Sequence, residues 1–261
     1  MKLGASYNVF DGEELLEGSI MQIRNSVDYI SVIYQTKSNI NNDCSPELLP
    51  LLSRLKNSGL VDALHEYRPN LAKAAHWNET KKRNLGLDLS KKVGCTHHIS
   101  LDTDEYYISR QFDMLKNMID DGGYDSSYCQ MQTYYKSWKY CLDPPEEYYV
   151  SLIYKIKFLT SYKFGIHAPV LVDPTRRMSR MKNPLILPRT TIEMHHGSYI
   201  RNDIQKKLAN SSSRINFEQD IVTHYINWQY PDRVLWGGLP SKYLHVREVD
   251  PTWLLCKSPI V

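Results

Sequence analysis

Three carboxylates stand in the run Leu101-Asp102-Thr103-Asp104-Glu105, directly after a β-rich apolar stretch. Carboxylates crowded at the end of a buried strand repel one another and lose hydration. A hard divalent cation removes that conflict, because it takes oxygen ligands. Mg²⁺ or Mn²⁺ held this way commonly shares its coordination with a substrate phosphate and stabilises a diphosphate leaving group. The plain alternative is an acidic turn after a strand.

Such a run needs elements to carry it. Segment 2–9 reads as a strand. A helix follows from Asp11, with Glu14 three residues on as a capping box and Leu16, Ile20, Ile23 and Val27 on one face. Segment 29–35 is a second strand. A helix begins at Ser45-Pro46, turns Leu48, Leu52 and Leu55 inward and stops at Gly59. Segment 60–65 is a third strand. A long helical stretch opens at Asn70 with Leu71, Ala74, Ala75, Leu85, Leu89 and Val93, breaks at Gly86 and ends at Gly94. Segment 97–101 is the fourth strand, and 109–121 is a helix stopped by Gly122-Gly123. This β-α alternation predicts an α/β fold with a mostly parallel central sheet and helices on both faces. Ligands of such sheets bind outside the carboxyl ends of the strands, where Asp102 stands. The second half is less regular, with long strands at 124–136 and 147–158. A mobile basic loop is expected at 173–189, a helix at 200–210 and a turn at 211–213.

The chain has 261 residues, 42% apolar and 23% charged, with 12 Gly and 13 Pro, which excludes a collagen-like chain, a disordered tail and a small disulfide knot. A net charge of +3 neither demands nor forbids a nucleic-acid partner. The 5 Cys include no C-x-x-C pair, so reduced thiols, no structural zinc and a cytoplasmic location are expected, in the host cytoplasm for a viral protein. No apolar run approaches the roughly 18–20 residues needed to span a bilayer. The 19 Tyr against 5 Phe have no evident reason in the sequence.

The stretch Lys81-Lys82-Arg83-Asn84-Leu85-Gly86, followed by Ser90 to Glu105 with its D-x-D, resembles the core of nucleotide-sugar-dependent glycosyltransferases of the GT-A fold, family 2-like. The opening Tyr7-Asn8-Val9-Phe10-Asp11-Gly12-Glu13-Glu14 and the polar strand end Gln35-Thr36-Lys37-Ser38-Asn39 are of the same kind. The resemblance implies a GT-A domain over residues 1–213. Its nucleotide-binding part would be 1–105 and its acceptor and metal part 106–213, with 214–261 an extension packed on the same domain. It implies that Asp104 ligates Mn²⁺ or Mg²⁺ and that Asp102 contacts the ribose, or the metal through water. Tyr7, Asn8, Gln35, Lys37, Arg83 and Thr103 would hold the nucleotide sugar. Glu193-Met194-His195-His196-Gly197-Ser198-Tyr199 resembles the element that supplies a further metal ligand, and neutral imidazole suits Mn²⁺. In an extended chain His195 and His196 face opposite ways, and His196 is favoured over His195. Arg201, Lys206 and Lys207 could offset phosphate charge. An inverting reaction would need a base, with Glu193 the first candidate beside Asp143, Glu146 and Glu147; a retaining one would not.

The implied reaction moves a sugar from a nucleoside diphosphate, UDP favoured, to an acceptor hydroxyl. The Gln-x-x-Arg-Trp signature of processive members is absent. The acceptor is either a glycan or hydroxymethylcytosine in DNA, as for phage DNA-modifying enzymes. Arg176, Arg177 and Trp236 are the acceptor candidates, and Gly237 and Gly238 would allow close approach beside Trp236. A nucleotidyltransferase is the rival enzyme class, though no Gly-rich basic loop follows the first strand. A non-catalytic nucleotide-binding module is the third reading.

Overall fold

The computed structural model describes residues 1–211, 220–236 and 242–255. In chain order the first half comprises β1 (Leu3–Val9), α1 (Glu13–Ile23), β2 (Tyr29–Tyr34), α2 (Leu48–Asn57), β3 (Ala63–Glu66), α3 (Ala75–Lys92), β4 (His97–Asp102), β5 (Glu105–Tyr106) and α4 (Ser109–Gly122). There follow β6 (Ser126–Tyr135), β7 (Ser137–Asp143), β8 (Tyr149–Lys155), β9 (Pro184–Ile186), β10 (Met194–Tyr199), α5 (Ile204–Asn210), α6 (Ile221–Asn227), β11 (Val234–Trp236) and β12 (Lys242–Glu248).

Strands β3, β2, β1 and β4 lie side by side and parallel, as the β-α alternation requires. Asn8 pairs with Asp102 and Val9 with Tyr34, so three strands release their carboxyl ends at one level. Beyond β4 the sheet continues antiparallel through β8, β6, β7, β12 and β11, while β10 joins β6 in parallel.

Alternation along β1 divides the two faces. Leu3, Ala5, Tyr7 and Val9 join Leu16, Ile20, Leu48, Leu52, Phe112 and Leu115 in the main apolar core, beneath α1, α2 and α4. Gly4, Ser6 and Asn8 face α3, across an interface of small and polar groups. His98 bonds Ser6 Oγ at 3.3 Å and Ser90 Oγ at 2.9 Å.

That polar interface explains why apolar periodicity misread α3. The helix starts at Ala75, not Asn70, and Leu71 is exposed. Its buried face is Asn78, Lys82, Arg83, Gly86, Leu87 and Ser90. Gly86 does not break the helix. A Cβ there would stand 2.2 Å from Ser6 Oγ and 2.3 Å from Ser6 Cβ, so Gly86 lets α3 approach β1. Gly86→Ala is expected to cost about 1–3 kcal/mol by forcing α3 off the sheet, read as a lower denaturant midpoint at unchanged slope.

Other expectations need correction. The capping box at α1 does not form: the N-cap is Gly12, at φ 72°, with no side-chain cap. The third strand begins at Ala63, the last predicted helix begins at Ile204, and β7 was not foreseen. The turn foreseen at 211–213 lies mostly outside the described residues, as do Gly237, Gly238 and Cys256. Cys44, Cys95, Cys129 and Cys141 form no disulfide.

The basic segment 173–189 is pinned rather than loose. Asp125 accepts from Lys157 Nζ at 2.5 Å and from the backbone N–H groups of Lys182 and Asn183 at 2.9 and 3.0 Å. Burial opposes its ionisation, yet Lys157 and these N–H groups hold the carboxyl below the usual carboxylate range. Asp125→Ala strands two N–H donors and a lysine, an expected loss of about 3 kcal/mol near neutral pH. Because the folded pKa is depressed, this stabilisation is complete above the unfolded value and fades as pH falls below it. Urea titrations at pH 7 and pH 3 should show the gap between wild type and variant closing in acid.

The tyrosines find their reason in packing. Tyr7, Tyr106, Tyr107, Tyr135 and Tyr154 are among the largest fully buried side chains. Tyr135, Tyr199, Tyr225 and Trp228 anchor a second apolar cluster that joins β6, β10, α5 and α6 to β11 and β12.

Candidate active site

The Asp102–Glu105 turn leaves the end of β4 and is held on two sides. Thr103 Oγ1 donates to the Asp11 carbonyl at 3.1 Å. Gly12 is packed against the same side chain, where a Cβ would sit 2.5 Å from Thr103 Oγ1. On the far side β10 pairs with β5, His196 opposite Glu105, and Gly197 N–H donates to the Asp104 carbonyl at 2.8 Å. This pairing brings a histidine from ninety residues away to the D-x-D turn.

The carboxylates have separate partners. Asp102 receives Arg176 Nη2 at 2.5 Å and Arg83 Nη2 at 3.2 Å. Burial opposes its charge, but the two guanidiniums hold it well below the usual range. Asp104 receives Arg201 Nη2 at 2.5 Å, with His196 Nε2 and Lys207 Nζ each 3.7 Å from the same oxygen. It too is held ionised against burial, chiefly by Arg201. Glu105, 3% exposed, is gripped by both terminal nitrogens of Arg176. Burial pushes the His196 imidazole down to about 4, against the pull of Asp104, so it is neutral at pH 7.

These groups line a cleft of about 270 Å³ at the carboxyl ends of β1, β2 and β4. Asn8, Gln35, Arg83, Asp102, Thr103, Asp104 and His196 all line it. Asn8 donates to Ser100 Oγ at 3.0 Å and leaves its buried Oδ1 without a partner. Arg201 and Lys207 also line the cleft, whereas Lys206 borders a neighbouring groove.

Other candidates lie elsewhere. Tyr7 is wholly buried in the core, bonded to Ser19 Oγ at 3.0 Å, because strand alternation turns it away from Asn8. Lys37 pairs with Asp43 at 2.7 Å on the surface. Glu193 pairs with Arg189 at 3.0 Å and does not reach the cleft. Arg176 lies buried beneath the D-x-D turn, not on an acceptor surface. Arg177 donates to the Ile166 and Val172 carbonyls at 2.7 and 3.2 Å. Trp236 packs on Tyr199, ring centres 4.9 Å apart. His195 points opposite to His196, bonded to Tyr134 Oη at 2.8 Å and stacked on Trp253 at 4.0 Å.

Sequence reasoning gave no role to several cleft residues, Glu79, Lys82 and Asp173 among them. Lys82 donates to Gln35 Oε1 at 2.5 Å, Glu79 lies one helical turn before it, and Asp173 comes from the basic segment. The polar i, i+3, i+4, i+7 face of α3 (Glu79, Lys82, Arg83, Gly86) was the available signal for two of them.

Two potential cation ligands meet here, on a carboxylate oxygen that Arg201 already bonds at 2.5 Å and Lys207 flanks at 3.7 Å. Asp104 offers an ionised oxygen and His196 a neutral ring, facing each other at bridging separation. Among the described residues no three His, Cys, Asp or Glu side chains form a ready-made cage. One or two carboxylates, completed by phosphate oxygens and water, is the usual arrangement for Mg²⁺, and of this pair only Asp104 is such a ligand.

No family model matches the sequence, and no curated protein matches it. Among solved structures, S. aureus TarS 1-349 is 12% identical, with 76% of this chain and 61% of that one covered and a TM-score of 0.47. TarS 1-349 in complex with UDP-GlcNAc is 15% identical, with 51% and 35% covered and a TM-score of 0.36. CMP:2-keto-3-deoxy-manno-octonic acid synthetase complexed with CTP is 12% identical, with 59% and 74% covered and a TM-score of 0.34. The match spans 22% to 61% of the length of the TarS structures. Likeness this shallow decides nothing about activity. Among the described residues no helix is long and apolar enough to cross a membrane.

Proposed function

We propose that this chain is a metal-dependent glycosyltransferase that moves a sugar from a nucleoside diphosphate, UDP favoured, to an acceptor hydroxyl. The observation that carries this reading is the meeting of Asp104 and His196, 3.7 Å apart, in a cleft at the carboxyl ends of three parallel strands. The same cleft is lined by the amides of Asn8 and Gln35 and the cations Lys82 and Arg83.

In this reading Asn8, Gln35, Arg83 and Asp102 orient the base and ribose. Asp104 and His196 hold Mn²⁺ or Mg²⁺, which when bound offsets charge on the diphosphate. Arg201 and Lys207 add fixed positive charge beside Asp104, where the leaving group gathers electrons. The acceptor oxygen bonds to the anomeric carbon and gives up its hydroxyl proton to the departing diphosphate or to water. The bond from that carbon to the β-phosphate oxygen breaks, and its electron pair leaves with the nucleoside diphosphate. A glycan hydroxyl is the favoured acceptor. Hydroxymethylcytosine DNA loses support, because Arg176 and Arg177 of the basic segment are turned inward.

The test is release of UDP from a panel of UDP-sugars, with and without Mn²⁺, beside release of diphosphate from nucleoside triphosphates. Mn²⁺-dependent UDP release from one sugar donor supports the reading. Diphosphate release alone replaces it with nucleotidyl transfer.

A further inference from the structure

His196 has polar groups at both ring nitrogens. Nδ1 lies 3.5 Å from Thr133 Oγ1, and the parallel pairing of β10 with β6 sets the two residues opposite each other. Thr133 is fully buried, and its hydroxyl donates to the Glu146 carboxylate in a short bond. Burial pushes the Glu146 carboxyl up, and the Thr133 hydroxyl and Arg189, which donates to the Glu146 main-chain carbonyl, oppose that rise.

A hydroxyl has one proton. With that proton directed at Glu146, Thr133 presents only lone pairs to His196, so Nδ1 must carry the ring hydrogen. Nε2 then presents a lone pair toward Asp104 Oδ2, 3.7 Å away. That separation is too long for a hydrogen bond, so Nε2 does not bond Asp104, whose Oδ2 is bonded to Arg201 at 2.5 Å and lies 3.7 Å from Lys207.

We propose that Thr133 and Glu146 are positioning residues: they fix the Nδ1–H tautomer of His196, so that Nε2 stands ready as a cation ligand beside Asp104. Outer partners of ligating histidines act in this way on ring orientation and basicity. The cation half of this statement rests on the proposed function; the tautomer half does not.

The experiment is ¹⁵N NMR of the histidine-labelled, metal-free protein at pH 7.5, with Mn²⁺ affinity measured separately. Wild type should show His196 as a single Nδ1–H tautomer. Thr133→Ser, which keeps the hydroxyl, should preserve it. Thr133→Val, close in shape, should convert the ring to a mixture or to Nε2–H and weaken Mn²⁺ binding about 10–100-fold at a little-changed melting temperature. An Nε2–H ring in wild type overturns the proposal, as does a Val variant with unchanged tautomer and affinity. If the Val variant does not fold, the wild-type and Ser spectra still decide. A ring fixed as Nδ1–H in a protein that binds no Mn²⁺ supports the positioning and overturns the metal-dependent function, so the two failures are distinguishable.

Discussion

Asp104→Asn is expected to abolish Mn²⁺-dependent donor binding and to lower turnover by about 10²–10³-fold, the scale seen when one preorganised electrostatic group is lost from a site. The substitution keeps the shape and removes the charge. It takes away one of two protein ligands and leaves the buried Arg201, bonded to Asp104 at 2.5 Å, without its carboxylate. A stability loss of about 3 kcal/mol should accompany it, because a buried charge left unpaired keeps its desolvation cost. Linkage works in the same direction. The folded pKa of Asp104 is depressed, so its stabilisation is complete above the unfolded carboxylate value and is lost progressively as pH falls below it. Calorimetric titration of donor and denaturant unfolding at pH 7 measure the two effects separately. A variant that still binds donor in a Mn²⁺-dependent way would remove Asp104 from the metal site.

Arg176→Met, beneath the cleft, should produce a large stability loss, about 3–5 kcal/mol. The guanidinium serves two carboxylates: it forks onto the buried Glu105 and reaches Asp102 at 2.5 Å. Asp102 retains Arg83, but Glu105 has no second cation at ion-pair distance among the described residues. The double variant Arg176→Met with Glu105→Gln should recover part of the loss, since burial already raises the Glu105 carboxyl to about 7 and, without Arg176, the variant chain must bind a proton there that Gln does not need. Donor affinity should fall less than in Asp104→Asn. Losses that simply add in the double variant would contradict the pairing.

The site was legible where local pattern and chemistry coincide. Asp102 and Asp104 close an apolar strand, and alternation through 193–199 separates His196 from His195. The same alternation could have placed Tyr7 among Leu3, Ala5 and Val9 in the core. Apolar periodicity failed at α3 because that helix packs through Gly86 and Ser90 against Gly4 and Ser6, leaving Lys82 and Arg83 buried and directed at the cleft. Arg176 could not be read at all. A long-range ion pair leaves no local trace, and an arginine in a Pro- and Met-rich segment looks like surface. Glu193 was chosen by its place after the metal motif, and its neighbour Arg189 draws it away from the cleft.

The most direct measurement is calorimetric titration of UDP into the wild-type protein, with Mn²⁺ and with chelator. One site that requires Mn²⁺, and that disappears in Asp104→Asn, is the predicted result. UDP bound equally well in chelator, or not bound in either condition, would contradict a metal-dependent nucleotide-sugar site between Asp104 and His196.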